Sequence, residues 1–206
     1  MRLPFVAPSG LCGKCGREVE GLKGEFLCEE CSSRRAPAFD RACSALRFYG
    51  EARDLVLGFK FNGKFWLKDD FGDWLAAAVE SRFKTGEIDG VAPMPSTLVH
   101  RIGRGFNQCV YLAKGVCERT GLRYAPDLLA RRGNPRRQSE LGEDERRRNV
   151  AGTFAVRKPD KVKGRTILVV DDIMTTGSTL SECARMLKAA GAARVWCATL
   201  ARAIGD

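Results

Sequence analysis

Residues 167–180 constrain the fold of this chain more than any other segment. Four consecutive aliphatic residues, Ile167–Val170, predict a strand buried on both faces, as strands of parallel sheets are. Two acids, Asp171 and Asp172, and a hydroxyl-rich loop come next. A helix is then indicated by apolar residues at spacings of three and four, namely Leu180, Cys183, Ala184 and Leu187. The segment therefore predicts a strand–loop–helix unit of an α/β protein.

The loop of this unit suits a phosphate monoester. Its backbone N–H groups and hydroxyls lie at a helix N-terminus, and its residues are Thr175, Thr176, Gly177, Ser178 and Thr179. The carboxylates of Asp171 and Asp172 can accept hydrogen bonds from the vicinal hydroxyls of a sugar. Helix capping alone would need only one such residue. A P-loop NTPase would need a hydroxyl after Gly63-Lys64, where the chain has Phe65.

The rest of the chain alternates between predicted strands and predicted helices. Strands are expected at Ser44–Tyr49, on a sheet edge, at Ile88–Ala92 and at Val195–Leu200. Helices are expected around Asp54–Phe61, around Trp66–Phe83 and after Phe106. This order predicts an α/β fold with a doubly wound parallel sheet, whose ligand sites lie at the carboxyl ends of the strands.

Four cysteines near the N-terminus have the spacing of a metal site. Cys12, Cys15, Cys28 and Cys31 form C-x₂-C-x₁₂-C-x₂-C. Four thiolates suit a structural Zn²⁺ ion, and an iron centre is the chemical alternative. A thioredoxin-like redox pair is disfavoured, because two matched pairs occur and neither has a βαβ context. We expect a four-cysteine module over residues 1–36 and a second domain over residues 42–206.

Net charge and apolar patterning indicate the partners and the compartment. The formal net charge of +10 favours nucleic acid or phosphorylated small molecules. Residues 131–149 contain seven arginines and four acids, which predicts a basic lid or binding loop, with a solvated connector as the alternative. The arginines considered for nucleic-acid contact are Arg101, Arg104, Arg131, Arg132, Arg136 and Arg137. No apolar run has the length of a membrane span or signal peptide, so we expect a cytoplasmic protein without membrane insertion.

Several aromatic residues follow the cysteines and lie near basic residues. They are Phe39, Phe48, Tyr49, Phe59, Phe61, Phe65 and Trp66. Single-strand binding proteins combine a basic groove with such rings. Core packing is the expectation for this group, with base stacking as the alternative.

The order of these motifs resembles the ComF family, also called GntX-like proteins, which is linked to natural competence and DNA uptake. The resemblance rests on the spacing of the four cysteines, the Lys60–Lys64 segment, a Pro-x-Pro turn and Arg-Gly-Phe-Asn-Gln at residues 104–108. Gln138-Ser139-x-Leu141, Arg146-x-x-Asn149-Val150 and the segment at residues 167–180 complete it. That last segment resembles the phosphoribosyl-pyrophosphate (PRPP) motif of type I phosphoribosyltransferases.

The resemblance implies a type I phosphoribosyltransferase-like domain after a four-cysteine zinc module. Asp171 and Asp172 would hold the ribose, residues 175–179 the 5-phosphate, and the turn Pro93, Met94, Pro95 and Ser96 the pyrophosphate with Mg²⁺. PRPP, single-stranded DNA and other competence proteins are the implied partners. Two hypotheses remain open: a PRPP-binding protein that handles incoming DNA, and an active transferase with an unknown small-molecule acceptor.

Overall fold

A four-stranded parallel sheet organises the chain. The computed structural model describes residues 3–7, 9–19, 26–96, 106–132, 150 and 152–203. The strands of this sheet are β1 (Arg41–Arg47), β2 (Gly90–Pro93), β5 (Thr166–Met174) and β6 (Arg194–Arg202), and their order across the sheet is β1-β6-β5-β2. A short antiparallel hairpin pairs β3 (Leu129–Arg131) with β4 (Phe154–Val156). The helices are α1 (Glu29–Ser32), α2 (Gly50–Phe61), α3 (Lys68–Arg82), α4 (Gln108–Thr120) and α5 (Ser178–Ala189).

Both faces of the sheet are covered, which confirms the doubly wound α/β prediction. Ile167 and Val169 of β5 pack in one core cluster with α5, through residues such as Leu180 and Leu187. Leu168 and Val170 point the other way, into a second cluster with α2, α3 and α4. Alternate residues of one strand therefore enter two different cores, which is why an unbroken aliphatic run is needed there.

The predicted elements are all present, with shifted ends. The edge strand begins at Arg41 rather than Ser44 and ends at Arg47 rather than Tyr49. The strand before the acids continues through them to Met174, because β6 pairs with it up to Met174↔Arg202. On its other side β5 is paired only as far as Pro93↔Val170. Asp171 and Asp172 thus lie in the strand, at the point where one neighbouring strand has already ended.

The segment with the four cysteines is hydrogen-bonded to the sheet and to α3. The amide of Ala42 in β1 donates to the Lys14 carbonyl at 2.7 Å. Arg82 donates to the carbonyls of Cys12 and Gly13 at 2.7 and 2.9 Å, and the buried Arg202 donates to the Cys15 carbonyl at 2.5 Å. Gly16 has a φ of 69°, and a Cβ there would lie 2.6 Å from the Ala42 carbonyl oxygen, so this close approach requires glycine. No helix among the described residues is long and apolar enough to cross a membrane.

Candidate functional site

The loop between β5 and α5 places amides and hydroxyls at the N-terminus of a twelve-residue helix. Gly177 is the N-cap residue, with a φ of 74° that favours glycine. The hydroxyls of Thr176 and Ser178 lie 2.7 Å apart and hydrogen-bond to each other, whereas Thr175 is exposed to solvent. The positive end of the helix dipole and these donors can hold a phosphate group.

The two acids of β5 face the N-terminus of another helix, α4. Asn107 caps this helix by accepting from the Cys109 amide at 3.1 Å, and its side-chain amide donates to the Met94 carbonyl at 3.0 Å. The cap therefore ties the Pro-x-Pro turn to the helix end that faces Asp171 and Asp172. A helix N-terminus stabilises negative charge nearby.

Asp172 is buried and bound by a lysine that sequence reasoning had left without a role. Lys60, near the end of α2, places its Nζ 2.6 Å from Asp172 Oδ2, and Gln108 of α4 donates to the same oxygen at 2.7 Å. The Ile173 amide donates to the other oxygen at 2.7 Å. Burial alone would raise the pKa of Asp172, but Lys60 and these hydrogen bonds outweigh it and hold the pKa below its usual range. Asp172 is therefore ionised and held in place.

Asp171 is in a different environment, although it is the neighbouring residue. Its Oδ1 accepts from the Cys109 thiol at 3.3 Å and from the Asp172 amide at 2.9 Å. Burial, and then the negative charge of Asp172, raises the pKa of Asp171 to about 7. Burial and the charge of Asp171 raise the pKa of the Cys109 thiol, so the thiol stays protonated and remains a donor. Asp171 can therefore exchange a proton near neutral pH, unlike Asp172.

A second cation, Arg131 of the hairpin, interacts electrostatically with Asp171. Burial lowers the pKa of Arg131 at the end of β3, and the charge of Asp171 opposes that shift, which places the guanidinium within electrostatic reach of the carboxylate. The guanidinium carbon lies 5.2 Å from the centroid of the Phe154 ring. Arg132, the next residue, is exposed. The hairpin thus places one of the two described arginines of residues 131–149 close enough to Asp171 for their charges to interact.

The turn after β2 contributes backbone rather than side chain at its centre. Pro93 ends β2, and the Met94 amide donates to the Val170 carbonyl at 2.8 Å. The Met94 side chain is buried in the core cluster of α5, while Pro95 and Ser96 are half-buried. Arg101, Arg104, Arg136 and Arg137 lie outside the described residues.

The four N-terminal cysteines converge as their spacing predicts. All four side chains are buried, and their sulfur atoms lie within 4.8 Å of one another. Cys15 Sγ is 3.7 Å from Cys28 Sγ, and a tetrahedron with metal–sulfur bonds of about 2.3 Å has sulfur–sulfur edges of about 3.8 Å. The Cys28 amide and Arg202 direct N–H groups toward Cys12 Sγ and Cys15 Sγ, at 3.3 and 3.5 Å. Such donors stabilise thiolate ligands, so the cluster can hold a tetrahedral metal ion.

Comparison with known proteins agrees with this arrangement. Residues 108–205 match the model of the phosphoribosyl transferase domain. Competence protein F of Haemophilus influenzae is 24% identical over 212 residues, which cover 96% of this chain and 93% of the relative. Competence protein ComFC of Streptococcus pneumoniae is 28% identical, over 94% of this chain and 88% of the relative. These relatives support the resemblance to the ComF family.

A third relative also matches nearly the whole of this chain. The DNA utilization protein YhgH of Escherichia coli O6:H1 is 27% identical over 192 residues, covering 91% of this chain and 82% of the relative. The matched domain together with the parallel sheet shows a type I phosphoribosyltransferase fold. Lys60 and Gln108 both lie in segments that carry the family resemblance, at residues 60–64 and 104–108, and this was the only sequence signal for them.

Proposed function

We propose that this protein is a PRPP-binding, phosphoribosyltransferase-like protein of natural competence that handles incoming single-stranded DNA in the cytoplasm. The observation that carries the proposal is the single β5–loop–α5 unit, which presents a partly buried carboxylate, Asp171, beside a helix N-terminus lined with hydroxyls. A ribose 5-phosphate group has the matching chemistry, with vicinal hydroxyls at one end and a phosphate at the other.

Each part of PRPP has a counterpart in the site. The 5-phosphate would bind residues 175–179, and the ribose hydroxyls would bind the acids, mainly Asp171, since Asp172 is held by Lys60 and Gln108. The pyrophosphate would lie along the backbone of residues 93–96, and Arg131, whose charge interacts with Asp171, would be a cation available to it. Mg²⁺ prefers phosphate oxygens and water as ligands, so it would enter with the pyrophosphate. The four-cysteine cluster would hold structural Zn²⁺, since four thiolates leave no open position for catalysis.

The DNA role is supported by charge and by the relatives. The chain carries a net charge of +10, and relatives across most of its length are named for competence and for DNA utilization. Cationic surfaces bind single strands with little sequence preference and with strong salt dependence.

A second candidate function is catalytic transfer of phosphoribose to a small-molecule acceptor. The environment of Asp171 favours it, because a carboxyl with a pKa of about 7 can accept a proton from an incoming nucleophile at neutral pH. In that reaction the bond from ribose C1 to pyrophosphate breaks, pyrophosphate leaves with the bonding electrons, and the acceptor forms the new bond to C1 and loses its proton. Release of pyrophosphate from PRPP with candidate acceptors would distinguish this function from binding alone.

Calorimetry with PRPP and Mg²⁺ tests the binding function. Wild type should bind, Asp171→Asn should bind at least about 10-fold more weakly because a charged hydrogen-bond partner is lost, and Asp160→Asn on the distant surface should bind like wild type. Ribose 5-phosphate should compete and free ribose should not. Equal PRPP affinity in wild type and Asp171→Asn would refute this assignment of the ribose site. A parallel titration with single-stranded DNA at several salt concentrations tests the DNA role separately.

A further inference from the structure

The aromatic residues that follow the cysteines separate into two groups. Phe59 is fully buried and Phe65 is partly buried, and both belong to a cluster of touching rings with Phe71, Phe106 and Tyr111 at centroid distances of 4.6–6.3 Å. Phe61 and Trp66 have 57% and 68% of their surface exposed. The expectation of core packing is therefore right for the first group and wrong for these two, and it is also wrong for Tyr49, which is 51% exposed.

Burial does not explain why Phe61 and Trp66 are aromatic. Both side chains keep more than half of their surface in solvent, and an aromatic ring exposed to this extent gains little from the hydrophobic effect. Both residues lie in a short segment, the end of α2 and the 3-10 turn Phe65–Leu67. The ring cluster and the helix end fix the backbone from which the two exposed rings project.

Three lysines and no acid lie in the segment that carries the two rings, from Leu55 to Lys68. Lys60 is paired with Asp172 and Lys68 with Asp69. Lys64 has no carboxylate partner among the described residues, and its side-chain carbons pack on the backbone of Gly58, so a Cβ at Gly58 would lie 2.5 Å from Lys64 Cδ. This packing fixes the stem of Lys64 on the same helix end that carries Phe61. The charge complements a polyanion.

The surface adjoins the ligand site. Lys60 Nζ lies 5.9 Å from the Phe61 ring centroid and 2.6 Å from Asp172 Oδ2, so the exposed ring is within about 8.5 Å of the buried acid. A strand lying on this surface would therefore run past the mouth of the proposed PRPP site.

We infer that Phe61 and Trp66, with Lys64, form a surface on which unpaired bases of single-stranded DNA stack. The inference rests on the proposed DNA role and names the surface that performs it. Aromatic rings stack on the faces of bases, and these faces are accessible only when the bases are not enclosed in a duplex, while a nearby lysine contacts the phosphate backbone. If this surface binds a protein partner and not DNA, its residues should not affect single-strand binding more than duplex binding. Comparing the two forms of DNA therefore distinguishes the two occupants.

Binding of a fluorescent oligo(dT) to the full-length protein tests this surface. Trp66→Ala and Phe61→Ala should each weaken binding about 10-fold, in the range of one lost base stack. Trp66→Phe retains a ring and should stay within about threefold of wild type. Phe5→Ala is the matched control, because Phe5 is also exposed, at 48%, but packs on Trp74 instead. Each variant should bind PRPP like wild type, which shows that it is folded.

Salt dependence separates stacking from charge. Trp66→Ala should shift the plot of log affinity against log salt downward without changing its slope, whereas Lys64→Met should reduce the slope by about 0.7. For a duplex of the same length Trp66→Ala should have no effect. Wild-type affinity in both alanine variants, or an equal loss for duplex and single strand, would overturn the stacking surface while leaving the DNA role intact. No single-strand binding by wild type even at low salt would overturn the direct DNA role as well.

Discussion

The buried ion pair between Lys60 and Asp172 makes a quantitative prediction about stability. Nζ and Oδ2 are 2.6 Å apart, and the two side chains are 21% and 8% exposed. At an effective dielectric constant of about 20, two unit charges at this distance attract by about 6 kcal/mol. Desolvation offsets much of that attraction, but removing one partner leaves the other buried without compensation, at a cost of about 3–5 kcal/mol.

We therefore expect Lys60→Met to lower the free energy of unfolding by about 3 kcal/mol, which is roughly 6–12 °C in melting temperature for a chain of this size. Asp172→Asn should cost less, about 2 kcal/mol, because Asn still accepts a hydrogen bond and Asp171 remains as a partial counter-charge. The double variant should lose less free energy of unfolding than the sum of the two single losses, with a coupling energy of at least about 1.5 kcal/mol.

Lys68 provides the matched control. Its Nζ is also 2.6 Å from a carboxylate oxygen, that of Asp69, but the two side chains are 36% and 73% exposed. Exposed pairs contribute about 0–1 kcal/mol, so Lys68→Met should hardly change stability. The assay is urea unfolding of the unliganded protein at pH 7.5, followed by circular dichroism. Equal losses of stability in Lys60→Met and Lys68→Met would show that burial of the first pair has no energetic consequence. Strict additivity of Lys60→Met and Asp172→Asn in the double variant would show the same.

Two further predictions concern the other acid and the metal. The pKa of Asp171 is raised in the folded protein to about 7, so the folded state binds the extra proton and stability should fall as pH rises from about 4 to about 7. Asp171→Asn removes this pH dependence of stability. In thermal melts, wild type and variant should be equally stable at pH 4, and the variant should be more stable at pH 8, by at most about 4 kcal/mol. A pH dependence that persists in the variant would contradict the reasoning. The purified protein should contain about one zinc per chain. The double variant Cys12→Ser, Cys15→Ser should lose the metal and exchange its amide hydrogens faster in residues 9–33. Its melting temperature should fall by several degrees, because Arg82 and Arg202 lose their carbonyl acceptors when that segment unfolds. The matched control is Cys117→Ser, outside the cluster, and a full metal content in the double variant would assign the site to other residues.

Local sequence signals were sufficient for the elements that carry the site. The strand, the loop and the helix at residues 166–189 follow one another directly, and each is indicated by the residue pattern of its own short segment. The four-cysteine cluster is likewise set by spacing within two short knuckles. Both could be predicted because the information needed for them is contiguous in the chain.

The different roles of the two acids could not be predicted, because the groups that separate them come from elsewhere. From the sequence, Asp171 and Asp172 are adjacent and equivalent. Lys60 at the end of α2 and Gln108 at the start of α4 reach Asp172, and Cys109 donates to Asp171. Cys109 fits an apolar helix pattern, which predicts its burial but not its partner. The end of β5 was predicted wrongly for a similar reason, because it depends on how far β6 pairs with it.

The four-cysteine cluster and the proposed phosphate loop are joined through the ends of β5 and β6. Arg202, the last residue of β6, donates to the Cys15 carbonyl and lies 3.1 Å from the sulfur of Met174, the last residue of β5 before the loop. The Ala203 amide donates to the Met174 carbonyl at 2.8 Å. A cavity of about 160 Å³ also lies between the two, and its lining includes Glu30 beside the cysteines and Ser178 at the start of α5. Because the Cys15 carbonyl accepts from the buried Arg202 guanidinium, which also contacts the last residue of β5, we expect the four-cysteine segment to help hold the proposed phosphate site in position.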